Sequence, residues 1–332
     1  MPLGVRSAFS STSCQGLGKL LPLGANKILR VRSSEFFRSF ATIVQSETTL
    51  SSFSCYLAVM HKRLLLLSTV MISMNGLALG DCKPVPGLEQ ILRPGVILLL
   101  GEMHGTEEGP AFLSRAVCNA VAKGLELTVG LEIPIREDSS VQSFLNSSGD
   151  PEAVSQLLSS AFWSREYQDG RTSLAMLALL QSLREYASNS DSLRVLLIDD
   201  PGAPEGRDRV MATRLATASS SSPNRLVLVL TGNFHNRLRP AANRSFEPMG
   251  SHLRRQVAQD RIISLDMGHS GGSAWVCFGG QPSDCGAKKL RGAATKDEGV
   301  ELLKDSDGAL YSGRYYVGKI HASPPAVQSS RR

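Results

Sequence analysis

The sequence contains no Cys-x-x-Cys pair, although it has six cysteines. Zinc sites built on cysteine commonly use such pairs, so we expect no cysteine zinc centre. The apolar stretch that begins at Leu64 is too short to span a bilayer comfortably. Together these two absences argue against a cysteine-zinc protein and against a stable membrane span.

Acidic residues are scarce at the start of the chain. Residues 1–80 hold two of the 30 acidic residues and eight of the 36 basic ones. From Asp81 onward, 28 basic residues are balanced by 28 acidic ones, so the net charge of +6 arises from the N-terminal segment. Proteins that bind nucleic acid usually carry a basic patch on the folded domain. We therefore expect no nucleic-acid partner.

Residues 60–80 have the pattern of a secretory signal peptide. A basic start at 60–63 precedes the apolar stretch, and a small-residue cleavage site follows at 78–80. We expect a secreted or periplasmic protein whose mature chain begins near Asp81. Residues 1–59 are interpreted as a disordered extension or as residues that precede the true start. Organellar targeting by this Ser- and Arg-rich segment is the alternative.

Four cysteines follow the predicted signal peptide, and an even number in an oxidising compartment indicates disulfides. Cys277 and Cys285 flank a short turn, which predicts a local hairpin bridge. Cys82 and Cys118 would then link the mature N-terminus to the first helix.

Strand and helix patterns alternate along the rest of the chain. Apolar runs predict strands at 96–100, 127–131, 193–198, 225–231 and 261–266, and helical spacing predicts helices near 109–123, 173–186, 206–218 and 251–259. Such alternation is typical of an α/β fold with a central, mostly parallel sheet. We predict one domain over 83–325.

Two further features complete the predicted architecture. The stretch 137–190 is too long for a plain crossover, so we expect a helical cap insertion that covers the carboxyl ends of the strands. Residues 274–278 and 315–320 are candidate edge strands.

Two Gly-x-x-His tetrads, at 101–104 and 232–235, each follow a buried strand. Parallel strands deliver the residues just past their carboxyl ends into a shared crevice. We therefore expect His104 and His235 to converge, although 130 residues separate them.

Carboxylates at the same strand ends complete a candidate catalytic set of Glu102, His104, Glu132 and His235. In one version, His104, His235 and Glu132 bind a divalent metal ion that activates water. In the other version, His104 is a general base without metal, and Glu102 orients it. Both versions predict hydrolysis of an ester or amide bond in a small-molecule or peptide substrate.

Other polar residues are less decisive. The sequence Asp199-Asp200-Pro201 suits a turn and a site equally well. His269 lies in a glycine-rich stretch that fits either the crevice or a loop, and His252 is expected to be solvated on a surface helix.

Residues 99–106, with Glu132 and the second tetrad, resemble the superfamily of erythromycin esterase-like, ChaN-like haem-binding and Tiki/TraB proteins. Tiki-type metallopeptidases are marked by two G-x-x-H motifs and a glutamate, which correspond here to the two tetrads and Glu132. Erythromycin esterases and ChaN-like proteins stress a Gly-Glu pair followed by a histidine, matched here by Glu102 and His104. The similarity spans roughly 95–270 and implies an α/β fold.

The resemblance also implies an alternative function, a ChaN-like haem- or iron-binding protein involved in iron uptake, with Tyr167 as a candidate iron ligand. Residues 162–171 combine three aromatic residues with two arginines, which suits either a ligand-facing wall or a packed helix corner. Arg171 in this stretch and Arg209 near the start of a later helix are candidate cofactor-binding residues.

Overall fold

A computed structural model describes residues 82–189, 192–242 and 246–327. The predicted signal peptide and the segment 1–59 lie outside these residues. The strands within them are β1 (Ile97–Glu102), β2 (Leu127–Pro134), β3 (Leu193–Asp199), β4 (Leu226–Gly232), β5 (Ile262–Gly268), β6 (Gly271–Cys277), β7 (Cys285–Arg291), β8 (Gly299–Leu302) and β9 (Gly313–Tyr316).

Six helices connect and flank these strands in the described part of the chain. They are α1 (Glu108–Ala122), α2 (Asp138–Leu145), α3 (Pro151–Leu158), α4 (Leu174–Asn189), α5 (Arg207–Ser221) and the short α6 (Met249–Leu253). The α/β prediction is confirmed.

The main sheet has the strand order β3-β2-β4-β1-β5-β9-β8. Its neighbouring strands run parallel except at the edge, where β8 pairs antiparallel with β9. All six residues of β1 and all seven of β4 are buried, because helices cover both faces of the sheet.

The two faces pack against different helices. On one face, Leu98 and Leu100 belong to a core shared with α1 and with α2 to α4. On the other face, Ile97 and Leu99 pack with α5 and α6. Successive side chains of a strand point to opposite faces, so one apolar run supplies both cores.

The register of β1 and β4 determines where the two tetrads leave the sheet. Glu102 pairs with Gly232, so the ends of both strands lie side by side. Residues 101–104 and 232–235 therefore emerge at the same edge, as the parallel topology predicts.

The insertion between β2 and β3 is helical, as predicted. Its helices α2, α3 and α4 pack on the α1 face of the sheet. The irregular segment between α3 and α4 is the part that reaches the strand ends, where Tyr167, Asp169 and Arg171 border a cavity beside β1 and β2.

The two candidate edge strands have different outcomes. Tyr315 and Tyr316 lie in β9, which joins the main sheet between β5 and β8. By contrast, β6 leaves the sheet and pairs with β7 in a separate antiparallel ribbon, and an isolated parallel bridge joins its start to Ile320. Gly271 and Gly272 at its start have φ values of 95° and 134°, which turn the chain away from the path of β5.

Both predicted disulfides are present. The Cα atoms are 5.6 Å apart in Cys82–Cys118 and 3.9 Å apart in Cys277–Cys285, both below the separation of about 7 Å beyond which cysteines cannot be bridged without backbone movement. The second bridge joins residues directly opposite each other in the ribbon. None of the helices in the described ranges is long and apolar enough to cross a bilayer.

We expect Leu228→Ala to lower the free energy of unfolding by about 2–5 kcal/mol, because it opens a cavity at a fully buried position of a central strand. Leu303→Ala is the control, since Leu303 is 50% exposed, and its cost should stay within about 0.5 kcal/mol. Urea unfolding measures both values. Equal costs for the two variants would contradict the placement of β4 in the core.

Candidate active site

The carboxyl ends of β1, β2 and β4 border a cavity of about 350 Å³. Its polar lining comes from the strand ends, from the irregular segment before α4 and from the start of α5. These residues are Glu102, His104, Glu132, Tyr167, Asp169, Arg171, Arg207, Asn233 and His235. The four residues of the predicted catalytic set therefore line one cavity.

Glu132, at the end of β2, is the centre of the arrangement and is only 5% exposed. Its Oε2 accepts a hydrogen bond from the Gly232 amide at 2.7 Å and lies 3.4 Å from His104 Nε2. Its Oε1 accepts from Arg207 Nη2 at 2.5 Å and lies 3.7 Å from His235 Nε2. This one carboxylate thus contacts both tetrads.

His104 lies between two carboxylates. Its Nδ1 is 2.9 Å from Glu102 Oε1, while Nε2 faces Glu132. Glycines allow this packing. A Cβ at Gly232 would lie 2.8 Å from His104 Nε2, and a Cβ at Gly109 would collide with Glu102 Oε2. Side chains at these positions would displace the histidine or the carboxylate that orients it.

His235 forms a second histidine–carboxylate pair. Its Nδ1 lies 2.8 Å from Asp208 Oδ1, which also accepts from the Met249 amide at 2.7 Å. Its Nε2 lies 3.4 Å from Arg207 Nη1. In a neutral imidazole whose Nδ1 donates to Asp208, Nε2 is the nitrogen that accepts, and an arginine can only donate to it. Nε2 of His235 lies on the side of Glu132 and the cavity.

Two arginines and two further aspartates surround Glu132. Arg171 Nη1 donates to Asp199 Oδ2 at 2.9 Å and lies 3.4 Å from Glu132 Oε1. Arg207 Nε donates to Asp199 Oδ1 at 2.5 Å. Asp169 accepts from Arg171 at 2.7 Å. The arginines are thus held in place by carboxylates outside the pair of histidines.

These contacts shift the titration of the central groups. Burial alone would lower the pKa of His104, but the Glu132 and Glu102 carboxylates outweigh burial and raise that pKa to about 10. Burial favours the neutral form of Glu132, yet the charges of His104 and Arg171 hold its pKa well below the usual range. Burial also raises the pKa of Glu102. At neutral pH His104 is therefore an imidazolium beside an ionised Glu132.

The structure brings most of the predicted residues together, but not Arg209. Arg171 and Tyr167 line the cavity, whereas Arg209 is exposed and lies outside the cavity lining. Residues two positions apart on a helix point in nearly opposite directions, so Arg207 enters the site and Arg209 cannot. The sequence correctly indicated that the start of α5 supplies an arginine to the site. Which arginine this is depends on the direction in which each residue of the helix points.

Three residues were missed as site residues: Arg207, Asp208 and Asp169. Asp208 directly precedes the predicted Arg209 in the sequence, but only its pairing with His235 shows its role. Asp169 lies in irregular chain, where no periodicity predicts the direction of a side chain. Its contacts with Arg165 and Arg171 place it at the cavity wall.

The structure shows where the remaining polar residues lie. Asp199 is fully buried and binds both site arginines, whereas Asp200 Oδ1 accepts from the Gly202 amide in a turn. His269 lies in a loop, where its Nδ1 accepts from the Gly271 amide. His252 is partly buried and contacts Glu247 and Arg255 rather than only solvent.

Residues 162–171 were interpreted as either a packed helix corner or a ligand-facing wall, and different residues of the stretch fit each interpretation. Phe162 and Trp163 are buried in the core, as in a packed corner. Tyr167 and Arg171 instead line the cavity.

The donor set does not suit the predicted divalent metal ion well. Within the described ranges, the ligand atoms of three acidic or histidine residues come within 4.8 Å of one another only at Glu107, Glu108 and His321, outside this cavity. Both oxygens of Glu132 already face cationic groups, with Arg207 bound to one and His104 beside the other. The guanidinium groups of Arg171 and Arg207 already neutralise this carboxylate.

The ribbon of β6 and β7 forms one wall of the cavity through Val276 and Cys277. Tyr167 donates from its hydroxyl to the Gly279 carbonyl at 2.8 Å, and Trp275 Nε1 donates to the Gln168 carbonyl at 2.9 Å. The Trp275 amide donates to the Gly105 carbonyl, next to His104. The ribbon therefore ties the segment that carries Arg171 to the first tetrad.

Comparison with solved structures shows the fold. A mutant of the erythromycin esterase EreC in its open conformation matches with a TM-score of 0.51 and 12% identity, over 73% of this chain and 95% of that chain. A succinoglycan biosynthesis protein matches with a TM-score of 0.50 and 8% identity, over 71% and 91%. A Bacillus cereus protein matches with a TM-score of 0.48 and 10% identity, over 75% and 96%.

The chain has the erythromycin esterase-like fold. The first two of these structures carry that conclusion and confirm the fold that the resemblance implied. A scan against protein-family models found no match, and a search of the curated proteins found none either.

We expect the two disulfides to have separable effects. Replacing Cys277 and Cys285 by serine should cost about 2–3 kcal/mol of unfolding free energy and should increase acrylamide quenching of Trp275, because the ribbon loosens. Replacing Cys82 and Cys118 should cost more, about 4 kcal/mol, because a longer loop is released, but should leave quenching unchanged. Trp163 is fully buried in the wild-type structure, so a change in quenching reports on Trp275. Equal quenching in the two variants would show that the ribbon does not hold the wall.

The raised pKa of His104 predicts a pH-dependent stability. Its protonation stabilises the folded state in full below the unfolded pKa of 6.5, and that stabilisation is lost as the pH rises toward about 10. The difference in unfolding free energy between wild type and His104→Gln should therefore shrink from pH 7 to pH 10. His252→Gln is the control, because burial lowers the pKa of His252 and its contribution is constant over that range. A constant difference for His104→Gln would refute a protonated His104.

Proposed function

We propose that the protein is a hydrolase that cleaves an ester or amide bond with an activated water, without a metal ion. The observation that carries the proposal is the His235–Asp208 pair, which directs Nε2 of His235 to the cavity side, next to Glu132 and Arg207. A histidine oriented by a carboxylate is the usual general base in such reactions. The erythromycin esterase-like fold is compatible with this chemistry, because the EreC structure bears the name of an esterase.

In the proposed mechanism His235 is the base. Nε2 takes a proton from a water molecule while that water attacks the carbonyl carbon of the substrate. Asp208 accepts the Nδ1 hydrogen bond and stabilises the imidazolium that forms. When the tetrahedral intermediate collapses, the same Nε2 returns the proton to the leaving alcohol or amine.

His104 has a different role from the one predicted from the sequence. Both of its ring nitrogens face carboxylates, and its pKa of about 10 keeps it protonated at neutral pH. A protonated imidazole cannot accept the proton of water, but its positive charge can stabilise a developing oxyanion. Together with Arg207, which lines the same cavity, His104 supplies positive charge where the carbonyl oxygen becomes negative.

Glu132 maintains this division of roles. Its charge keeps His104 protonated, and its bond to Arg207 holds the guanidinium beside His235. Glu102 orients His104 from the opposite side. Through these different partners, His235 serves as the general base and His104 supplies positive charge.

Haem binding is the alternative that the sequence offered, with Tyr167 as the iron ligand. The Tyr167 hydroxyl donates to the Gly279 carbonyl and braces the ribbon. An absorbance spectrum of protein mixed with haem tests this alternative directly. A Soret band that Tyr167→Phe abolishes would favour iron binding over hydrolysis.

We expect His235→Gln and Asp208→Asn to lower kcat on aryl esters by about 100-fold or more, because each removes the general base or its orientation. His252→Gln, outside the cavity, should keep wild-type rates. Chelator treatment should not change the rate. A rate that falls with chelator and returns with a divalent ion would overturn the metal-free mechanism. Full activity of His235→Gln would overturn the assignment of the base.

A further inference from the structure

A second cavity, of about 800 Å³, lies next to the candidate active site. Its walls come from the ends of β5 and β9 and from the chain between β8 and β9. Asn233, in the middle of the second tetrad, lines both cavities. The two cavities therefore adjoin at Asn233, in the loop that carries His235.

Arg237 is the key charge of this second cavity. It is partly buried, and its Nε donates to the Tyr311 hydroxyl at 3.3 Å. Among the described residues, no carboxylate oxygen forms an ion pair with Arg237 within 4.0 Å. Its two terminal nitrogens are thus available to an anionic group in the cavity.

The acidic residues of this cavity have other partners. Asp266 Oδ1 accepts from Asn233 Nδ2 at 3.3 Å, and Arg314 Nε lies 3.9 Å from its Oδ2. Burial also raises the pKa of Asp266 above its usual value. Glu301 pairs with Lys296 and accepts from Tyr316. Arg237 and the nearby Lys304 therefore leave the cavity with an excess of positive charge.

Arg237 is also connected to the second tetrad. Its guanidinium lies 4.3 Å above the Phe234 ring, and Phe234 lines the first cavity. The Tyr311 hydroxyl that accepts from Arg237 donates to the Asn233 carbonyl at 2.8 Å. A group bound by Arg237 would therefore lie beside the loop that carries His235.

We propose that the second cavity binds an anionic group, a carboxylate or phosphate, of a substrate that spans both cavities, with Arg237 as its main ligand. The proposal rests on the proposed hydrolase function for its substrate class, an ester or amide that carries an acidic group on its acyl chain. Leu302, Leu303 and Leu310 line the same cavity and suit the apolar part of such a chain. Guanidinium groups bind carboxylates and phosphates strongly because both partners are charged.

The kinetic experiment compares two esters of the same chain length, the para-nitrophenyl monoester of glutarate and para-nitrophenyl pentanoate. Wild type should prefer the glutarate ester, and Arg237→Gln should reduce the ratio of the two kcat/KM values by about tenfold. Arg237→Lys should retain part of the preference. Arg239→Gln removes an exposed arginine outside the cavity and should leave the ratio unchanged. Equal losses on both esters in Arg237→Gln would overturn the proposal.

A binding experiment separates this proposal from the hydrolase proposal. Calorimetric titration with glutarate, and separately with inorganic phosphate, should show binding to wild type and to His235→Gln, and about tenfold weaker binding to Arg237→Gln. If neither ester is hydrolysed but this pattern holds, the anion site stands and the hydrolase function fails. If Arg237→Gln binds both anions as tightly as Arg239→Gln does, the anion site is refuted whatever the activity.

Discussion

The arrangement of the site depends on one buried carboxylate. Glu132 lies where β2 ends and interacts at once with a histidine from each tetrad and with two arginines. Leaving a charge alone at such a depth would be very costly, so the surrounding cations are needed to keep Glu132 ionised. The same charge keeps His104 protonated and fixes Arg207 beside His235. The different properties of the two histidines therefore follow from their shared neighbour.

This carboxylate can serve both histidines because of the strand order. β4 lies between β1 and β2, so the tetrad that follows β4 is placed between the tetrad of β1 and the end of β2. The Gly232 amide donates directly to Glu132, and the missing side chain at Gly232 leaves room for His104. A different strand order would have required longer side chains to span the same distances, since neighbouring strands are about 4.8 Å apart.

The sequence predicted the features that follow from strong local patterns. Continuous apolar runs marked β1 to β5, and the two tetrads at strand ends identified His104, His235 and their shared edge. Features that depend on three-dimensional pairing were not predictable. The orientation of α5 directs Arg207, and not Arg209, into the cavity. The residues of β7 alternate between partly buried and exposed, so no apolar run marks this strand in the sequence. The choice between metal ligand and ion pair for Glu132 depends on arginines that are distant in sequence.

The two sides of the cavity belong to parts of the protein with different contact density. One side is formed by residues at the ends of β1 and β4, which are fully buried strands. The backbone amides of these strands should exchange with solvent only when the whole domain unfolds. The other side is a two-stranded ribbon in which most residues are partly buried or exposed. Such a ribbon is expected to open at a lower free energy than the buried sheet. The charged groups of the strand ends can therefore stay in register while the wall beside them moves to admit a bulky molecule.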